Sequence, residues 1–348
     1  MRALSAVDSV SLAVQRTREF LFRPFSWGTY LKLGLVAMIT EGSIGNLNSS
    51  RHGGSSHGSG PMFPSSFDLT PERVAAAVAA LLLALVVCIF VFYLITRLRF
   101  AFFHCLIHNT KEIGPGWRLY GAQASRFLWL NLGVGFCFLL VVALIAIPFV
   151  GGFWRAYREM QLNGQPDWVL LISLVLPLIP IIVLLVLAGI LIDVILRDWM
   201  LPHYALGNAS AGEAWSDVWA RISAEKRQFL VYAVLRVILP AIAMIGVFIV
   251  LIIPGLMLAG ALAAIEYGVH SGFADAAGGS AVAGALVEAF FGVVAFGFAV
   301  LAGICLGGPV STGVREYALM FYGGRYQKLG DILYPPQAPL VLGSPGIV

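Results

Sequence analysis

Residues 168–196 read WVLLISLVLPLIPIIVLLVLAGILIDVIL, with Asp193 as their one charge. A helix needs about 20 apolar residues to cross about 30 Å of hydrocarbon, so the run is long enough to span a membrane. Pro177 and Pro180 do not argue against this, because neighbouring helices can satisfy the carbonyls that a proline leaves without a donor. The surrounding chain has the same character. Of its 348 residues 59% are apolar and 11% are charged, whereas soluble domains run about 45–50% and about 25%. So little charge cannot cover the surface of a soluble fold, and water-soluble enzyme architectures are excluded.

Five further apolar runs, at 27–44, 74–95, 127–150, 229–253 and 281–306, make six expected transmembrane helices. The second should continue as helix to about residue 107. The fifth run passes Pro254 to about residue 265, too long for one straight crossing, and its end reads as an outer-face segment. With the N-terminus inside, sixteen of the 22 Lys and Arg fall on inner segments and four on outer ones, while Lys32 and Arg236 lie within spans. Short cytoplasmic loops carry the Lys/Arg excess, so both termini are expected in the cytoplasm. Localisation is then the cell (inner) membrane, multi-pass.

The remaining segments are accessory. Residues 1–26 lack the apolar h-region of a signal peptide. Ala3, Val7, Val10, Val14 and Leu21 recur at helical spacing, with Arg16, Glu19 and Arg23 opposite. This predicts an amphipathic helix, ended by Pro24, lying on the inner leaflet or packed on cytoplasmic loops of the same chain. Residues 41–70 are Gly/Ser-rich and read as a flexible outer loop. Residues 307–348 form a cytoplasmic tail, disordered from about 335. Cys88, Cys105, Cys137 and Cys305 contain no C-x-x-C pair, which excludes a zinc ribbon or a disulfide framework. A net charge of +4 with no long basic run is too small to imply nucleic-acid binding, and no nucleic-acid partner is expected.

The chain also repeats. Leu98-Arg99 and Leu196-Arg197 lie 98 residues apart, and Gly114-x-x-Trp117 matches Gly212-x-x-Trp215 at the same offset. Phe127-Leu128 then corresponds to Phe229-Leu230, and Ile147-Pro148 to Ile253-Pro254. Leu31-Lys32-Leu33-Gly34 echoes Leu130-Asn131-Leu132-Gly133, and Gly313-Val314-Arg315-Glu316-Tyr317 echoes Leu196-Arg197-Asp198-Trp199. The repeated unit is a descending helix, an inner connection and an ascending helix ending at Ile-Pro. Two crossings preserve orientation, so the units are parallel, unlike inverted transporter repeats. The fold class is therefore an all-α polytopic membrane helix bundle of six helices in parallel two-helix quasi-repeats. Trp117, Trp215 and Arg99 read as interface anchors, indoles with a wet N–H and an arginine that snorkels. Ser210 and Glu213 stand at capping-box spacing, opening a surface helix with Trp215, Val218, Trp219 and Ile222 on one face.

On Arg197-Asp198-Trp199, Pro202, Gly212-Glu213-Ala214-Trp215 and Arg18 with Arg23-Pro24-Phe25, the chain resembles uncharacterised bacterial multi-span membrane proteins. These are similar to the membrane domain attached to some glycerophosphodiester phosphodiesterases. The resemblance, over most of residues 10–325, implies a six-helix bundle in the cell membrane and no catalytic residues, since the phosphodiesterase chemistry belongs to a separate soluble domain. The first copy departs from the pattern, with Phe100 and His104 where the second has Asp198 and Pro202.

Ionisable groups within a bilayer cost about 2.5–3.5 kcal/mol each on insertion scales. Asp193 stands one turn before Arg197, a spacing for a local pair, and should lie at the depth of Arg236. A cross-helix Asp193–Arg236 pair is therefore expected to hold the units in register. Glu288 has no evident partner, and Lys32 is near enough to the inner interface to snorkel. A polar transport pathway is the other reading of these groups. His104 and His108, at i,i+4, with His203 at the position equivalent to Cys105, are remote metal candidates, but no carboxylate accompanies them in a zincin-like motif. His52 and His57 could chelate weakly. Ala295, Ala299, Gly303 and Gly307 form a small-residue ridge that lets a helix approach closely, from the same chain or from a second copy.

No nucleophile elbow, phosphate loop or paired-carboxylate motif is present, and no cofactor is implied. The expected function is a non-enzymatic membrane scaffold or accessory protein binding membrane lipids or a partner membrane protein. The alternative is a carrier of a lipidic or small amphiphilic solute. A metal-dependent intramembrane enzyme using His104, His108 and His203 is the third.

Overall fold

Apolar runs without turn chemistry favour long helices, and long helices are what the chain forms. The computed structural model describes residues 4–41, 71–163, 168–273 and 279–335. In order these are α1 (Asp8–Phe22), α2 (Trp27–Glu41), α3 (Pro71–His108), α4 (Ile113–Leu119), α5 (Gly121–Asn163), α6 (Trp168–Val194), a π-helical turn (Ile195–Met200), α7 (Leu201–Gly207), α8 (Ala211–Ala224), α9 (Lys226–Phe273), α10 (Gly279–Gly323) and α11 (Gln327–Leu333). The described residues contain no strand.

Five stretches are long and apolar enough to cross a membrane: Val74–His108, Gly121–Leu162, Trp168–Gly207, Lys226–Met257 and Ala289–Gly323. The first expected span is a helix of 15 residues, about 22 Å at 1.5 Å per residue. It ends at Glu41, a residue that the sequence placed in the flexible loop; the rest of that loop, with His52 and His57, lies outside the described residues, as does the tail beyond residue 335. Ile147-Pro148 and Ile253-Pro254 do not end their helices. Pro148 and Pro254 both lie inside longer ones, and α5 runs on through Gly151-Gly152. A proline removes one donor, and the bonds on either side keep the helix in one piece.

The buried core gathers at one end of these rods. Phe100–Phe103 and Cys105–Ile107 of α3, Trp199–Leu201, Tyr204, and Tyr317–Tyr322 of α10 are buried there, joined by α1 and α11. Two repeat-equivalent phenylalanines pack between neighbouring helices. Phe127 packs edge-on against Phe100 at 5.6 Å and Tyr204 at 5.3 Å, and Phe229 does the same with Trp199 at 4.9 Å and Phe321 at 5.3 Å. Such edge-to-face pairs add about 0.5–1.5 kcal/mol each beyond burial. Away from this base the shafts are bare: Leu144, Leu184, Phe248 and Phe296 are 65–71% exposed.

Helix α1 lies on the base. Arg16 Nη2 donates to the Leu106 carbonyl at 2.7 Å and its Nε stands 3.3 Å from Glu316. The face turned inward is Ser9, Ala13, Thr17, Phe20 and Leu21, while Val7 and Val14 of the expected stripe point outward. Ser9 and Thr17 donate to the carbonyls of Ser5 and Ala13, so small polar residues can be buried where the sequence favoured valines. Arg325 Nη1 donates to the Leu4 carbonyl, which puts both ends of the described chain at the same end of the bundle.

Candidate functional site

Pro202 builds the site. It carries no N–H, and its ring would crowd the carbonyl of Asp198 in a regular α-helix. The backbone widens instead into the π turn Ile195–Met200, where the Leu201 N–H reaches back to the Leu196 carbonyl. In that register the Arg197 carbonyl would await the N–H of residue 202, which is proline. Arg315 Nη1 fills the vacancy from α10, donating to the Arg197 carbonyl at 2.7 Å. The inserted residue is visible in the repeat. Asn109 and Asn208, both in left-handed conformation with φ 51° and 48°, follow Arg99 by ten residues and Arg197 by eleven. π turns of this kind often mark functional positions.

The widened turn buries Asp198 fully. Its carboxylate accepts from Tyr232 Oη at 2.8 Å, Arg236 Nε at 2.8 Å and Arg315 Nη1 at 3.2 Å. The end of α2 supplies the other half of the cluster. The Thr40 carbonyl accepts from Arg99 Nε at 3.0 Å and from Arg197 Nη2, and Glu41, its side chain 4% exposed, faces Arg236 at 3.4 Å and Arg315 at 3.8 Å. Helix C-termini carry partial negative charge, so the repeat-equivalent arginines 99, 197 and 315 converge where α2 presents it. Breaking such a buried pair by removing one partner costs about 3–5 kcal/mol, because the other charge is left uncompensated.

Above this cluster, between α2, α3, α6, α9 and α10, lies a cavity of about 1350 Å³. Its walls are apolar, including Val91, Leu94, Val186, Met244 and Leu306, and Glu41, Asp193, Arg197 and Arg236 line it at the end nearest the packed base.

The residues singled out by the sequence divide unevenly. Asp193 pairs locally with Arg197 at 2.8 Å, its own side chain half exposed. The cross-helix partner of Arg236 is Asp198 rather than Asp193, because the π turn swings residue 198 inward. Arg99 does not snorkel but turns in to Thr40. Trp117 lines the cavity, with the Arg97 guanidinium 4.6 Å over its ring. On α8, whose capping box is in place, Trp215 and Trp219 stack and stay exposed while Ala214 and Val218 face inward. The Ser210 backbone N–H holds the Glu213 carboxyl below the usual carboxylate range. Lys32 is exposed on α2, and the side chain of Glu288 lies outside the described residues.

Of the small-residue ridge, Gly303 and Gly307 face Met38 of the same chain, Ala295 is half-buried and Ala299 exposed. The close approach falls one residue further on, where a Cβ on Gly308 would meet the Gly34 Cα at 2.6 Å. The His104 and His108 rings lie 4.5 Å apart, tilted by 52°, whereas His203 bonds the Tyr322 hydroxyl at 2.7 Å and lies against the Tyr326 ring. Burial raises the Tyr326 phenol above its ordinary pKa. Among the described residues no three His, Cys, Asp or Glu side chains stand close enough to hold a metal.

Glu41, Asp198, Tyr232 and Arg315 are the site residues that sequence reasoning passed over. The echo of Arg197 in Arg315 was the signal that could have found one of them; Glu41 and Tyr232 carried none.

No curated protein and no solved structure matches the chain. Residues 4–332 match the model of a Family of unknown function (DUF7544); they include α1, the π turn, the arginine cluster and all but the last residue of α11, and the chain belongs to that family.

Proposed function

We propose that the protein is a multi-pass, non-enzymatic accessory protein of a bacterial inner membrane that holds a lipid-like amphiphile in its cavity. The observation that carries this is the cavity itself: apolar on its walls, charged at one end, and larger than the roughly 300–1,000 Å³ typical of pockets that bind drug-sized ligands. An amphiphile matches both surfaces, tail against the walls and head against the polar end.

Six crossings with both termini cytoplasmic fit the same reading. α1 and α11 pack at the base, where α3 ends, and α3 spans 38 residues, about 57 Å. The Lys/Arg excess on the base side orients it toward the cytoplasm.

The test is native mass spectrometry of the full chain purified in mild detergent. Wild type should retain an adduct of lipid mass. Gly189→Phe should lose it while remaining monodisperse, because Gly189 lines the cavity and a Cβ there meets only the Phe138 ring, at 3.6 Å. A wild type free of adducts, which also fails to take up added lipid, overturns the proposal. A carrier is the second reading, favoured by the half-exposed Asp193 beside the cavity; it requires labelled amphiphile to cross proteoliposomes containing wild type but not Gly189→Phe.

A further inference from the structure

Four arginines meet in the cluster, Arg99, Arg197, Arg236 and Arg315, against three carboxylates, Glu41, Asp193 and Asp198. One positive charge is left over among the described residues. The carboxylates are already engaged: Asp198 accepts from three donors, Glu41 faces two arginines, and Asp193 bonds Arg197. The donors are not used up. Arg197 is 5% exposed and lines the cavity, yet its buried Nε–H has no acceptor, and neither has Nη2 of buried Arg315. A buried donor without an acceptor costs about 1–3 kcal/mol, and more for a charged group, so an orphaned guanidinium N–H in a buried cluster calls for an anion.

We infer that the cavity selects an amphiphile with an anionic head, a phosphate or carboxylate seated against Arg197 with its tail along the α6 and α9 walls. This rests on the amphiphile reading above and names the ligand's charge. Guanidinium suits the role, since its planar fork pairs with phosphate and carboxylate oxygens. Asp193 and Glu41, at the same end of the cavity, set the opposing term: they would repel an anion that approached without engaging arginine. Neutralising Asp193 should therefore strengthen anion binding, an effect that mere structural pairing with Arg197 would not produce.

The experiment uses the delipidated full chain in detergent and four probes: phosphatidylglycerol, phosphatidylcholine with the same tails, oleate and inorganic phosphate. Phosphatidylglycerol should bind about tenfold tighter than phosphatidylcholine, and Arg197→Gln should remove that preference, the scale expected of one charge-assisted hydrogen bond. Asp193→Asn, which alters a half-exposed group and keeps the fold testable if Arg197→Gln misfolds, should widen the preference. Oleate outcompeting phosphatidylcholine extends the rule to carboxylates, whereas oleate failing while phosphatidylglycerol binds confines it to phosphate. Inorganic phosphate displacing phosphatidylglycerol at millimolar concentration overturns the lipid assignment in favour of a soluble anion. Equal binding of the two phospholipids, with Asp193→Asn silent, overturns the anionic preference and leaves the amphiphile reading standing. Failure of every lipid to bind sinks that reading instead.

Discussion

The base of the molecule and its shafts are built by different physics from the same apolar alphabet. At the base Phe100, Phe127, Tyr204, Phe229 and Phe321 interlock and are buried, and charges are paired within reach of one another. Along the shafts Leu144, Leu184, Phe248 and Phe296 stand mostly exposed. Against lipid tails apolar side chains gain little by meeting each other, since the tails are as apolar as they are. Hydrophobic composition therefore makes the shafts without fastening them. What fastens the bundle is aromatic packing and polar pairing at one end, and this lets the shafts part around a cavity.

The largest effect should come from cutting the charge cluster. Asp198→Ala leaves Arg236, Arg315 and Tyr232 without their shared acceptor and should cost about 3–5 kcal/mol, read as a lowered unfolding midpoint in detergent. Leu144→Ala, the matching truncation on a shaft, should shift it by less than about 0.5 kcal/mol. Similar losses for the two would erase the distinction between base and shaft. An intermediate effect should come from glycine. Gly308→Leu drives a side chain into the backbone of Gly34 and should cost about 1–3 kcal/mol, whereas Gly133→Leu, where a Cβ meets nothing within 4 Å, should be tolerated. Loss of the α2–α10 contact can be followed by cross-linking cysteines placed at Met38 and Gly307, whose yield should fall only in Gly308→Leu. The smallest effect is local: Ser210→Ala removes the acceptor for the Glu213 N–H and should cost about 1 kcal/mol, visible as faster amide exchange in 211–214 without change in the shafts.

Much of the architecture could be read before any coordinates. The five long helices follow from apolar runs, the capping box at Ser210 from spacing, and the internal repeat from Leu-Arg, Gly-x-x-Trp and Phe-Leu. The repeat even carried three of the four arginines that meet at the site, Arg99, Arg197 and Arg315. What could not be read was their direction. Arg99 looked like a snorkelling anchor because one-dimensional reading places an arginine at a helix end near water; its true partner, the Thr40 carbonyl, lies 59 positions away. Asp193 was matched to Arg236 by depth alone, and the choice of Asp198 depended on a π turn that Pro202 imposes. The inward face of α1 escaped for a related reason, since buried Ser9 and Thr17 satisfy themselves on their own helix and look like surface residues.

From sequence alone came the apolar, helical character of the long rods and roughly where they start, because hydropathy and spacing are sums over neighbours along the chain. Which charges pair, that α2 ends among arginines, and that a cavity opens above them were decided only in three dimensions. Those outcomes turn on rotations of one residue about a helix axis and on contacts between segments from tens of residues to well over a hundred apart, neither of which leaves a local trace.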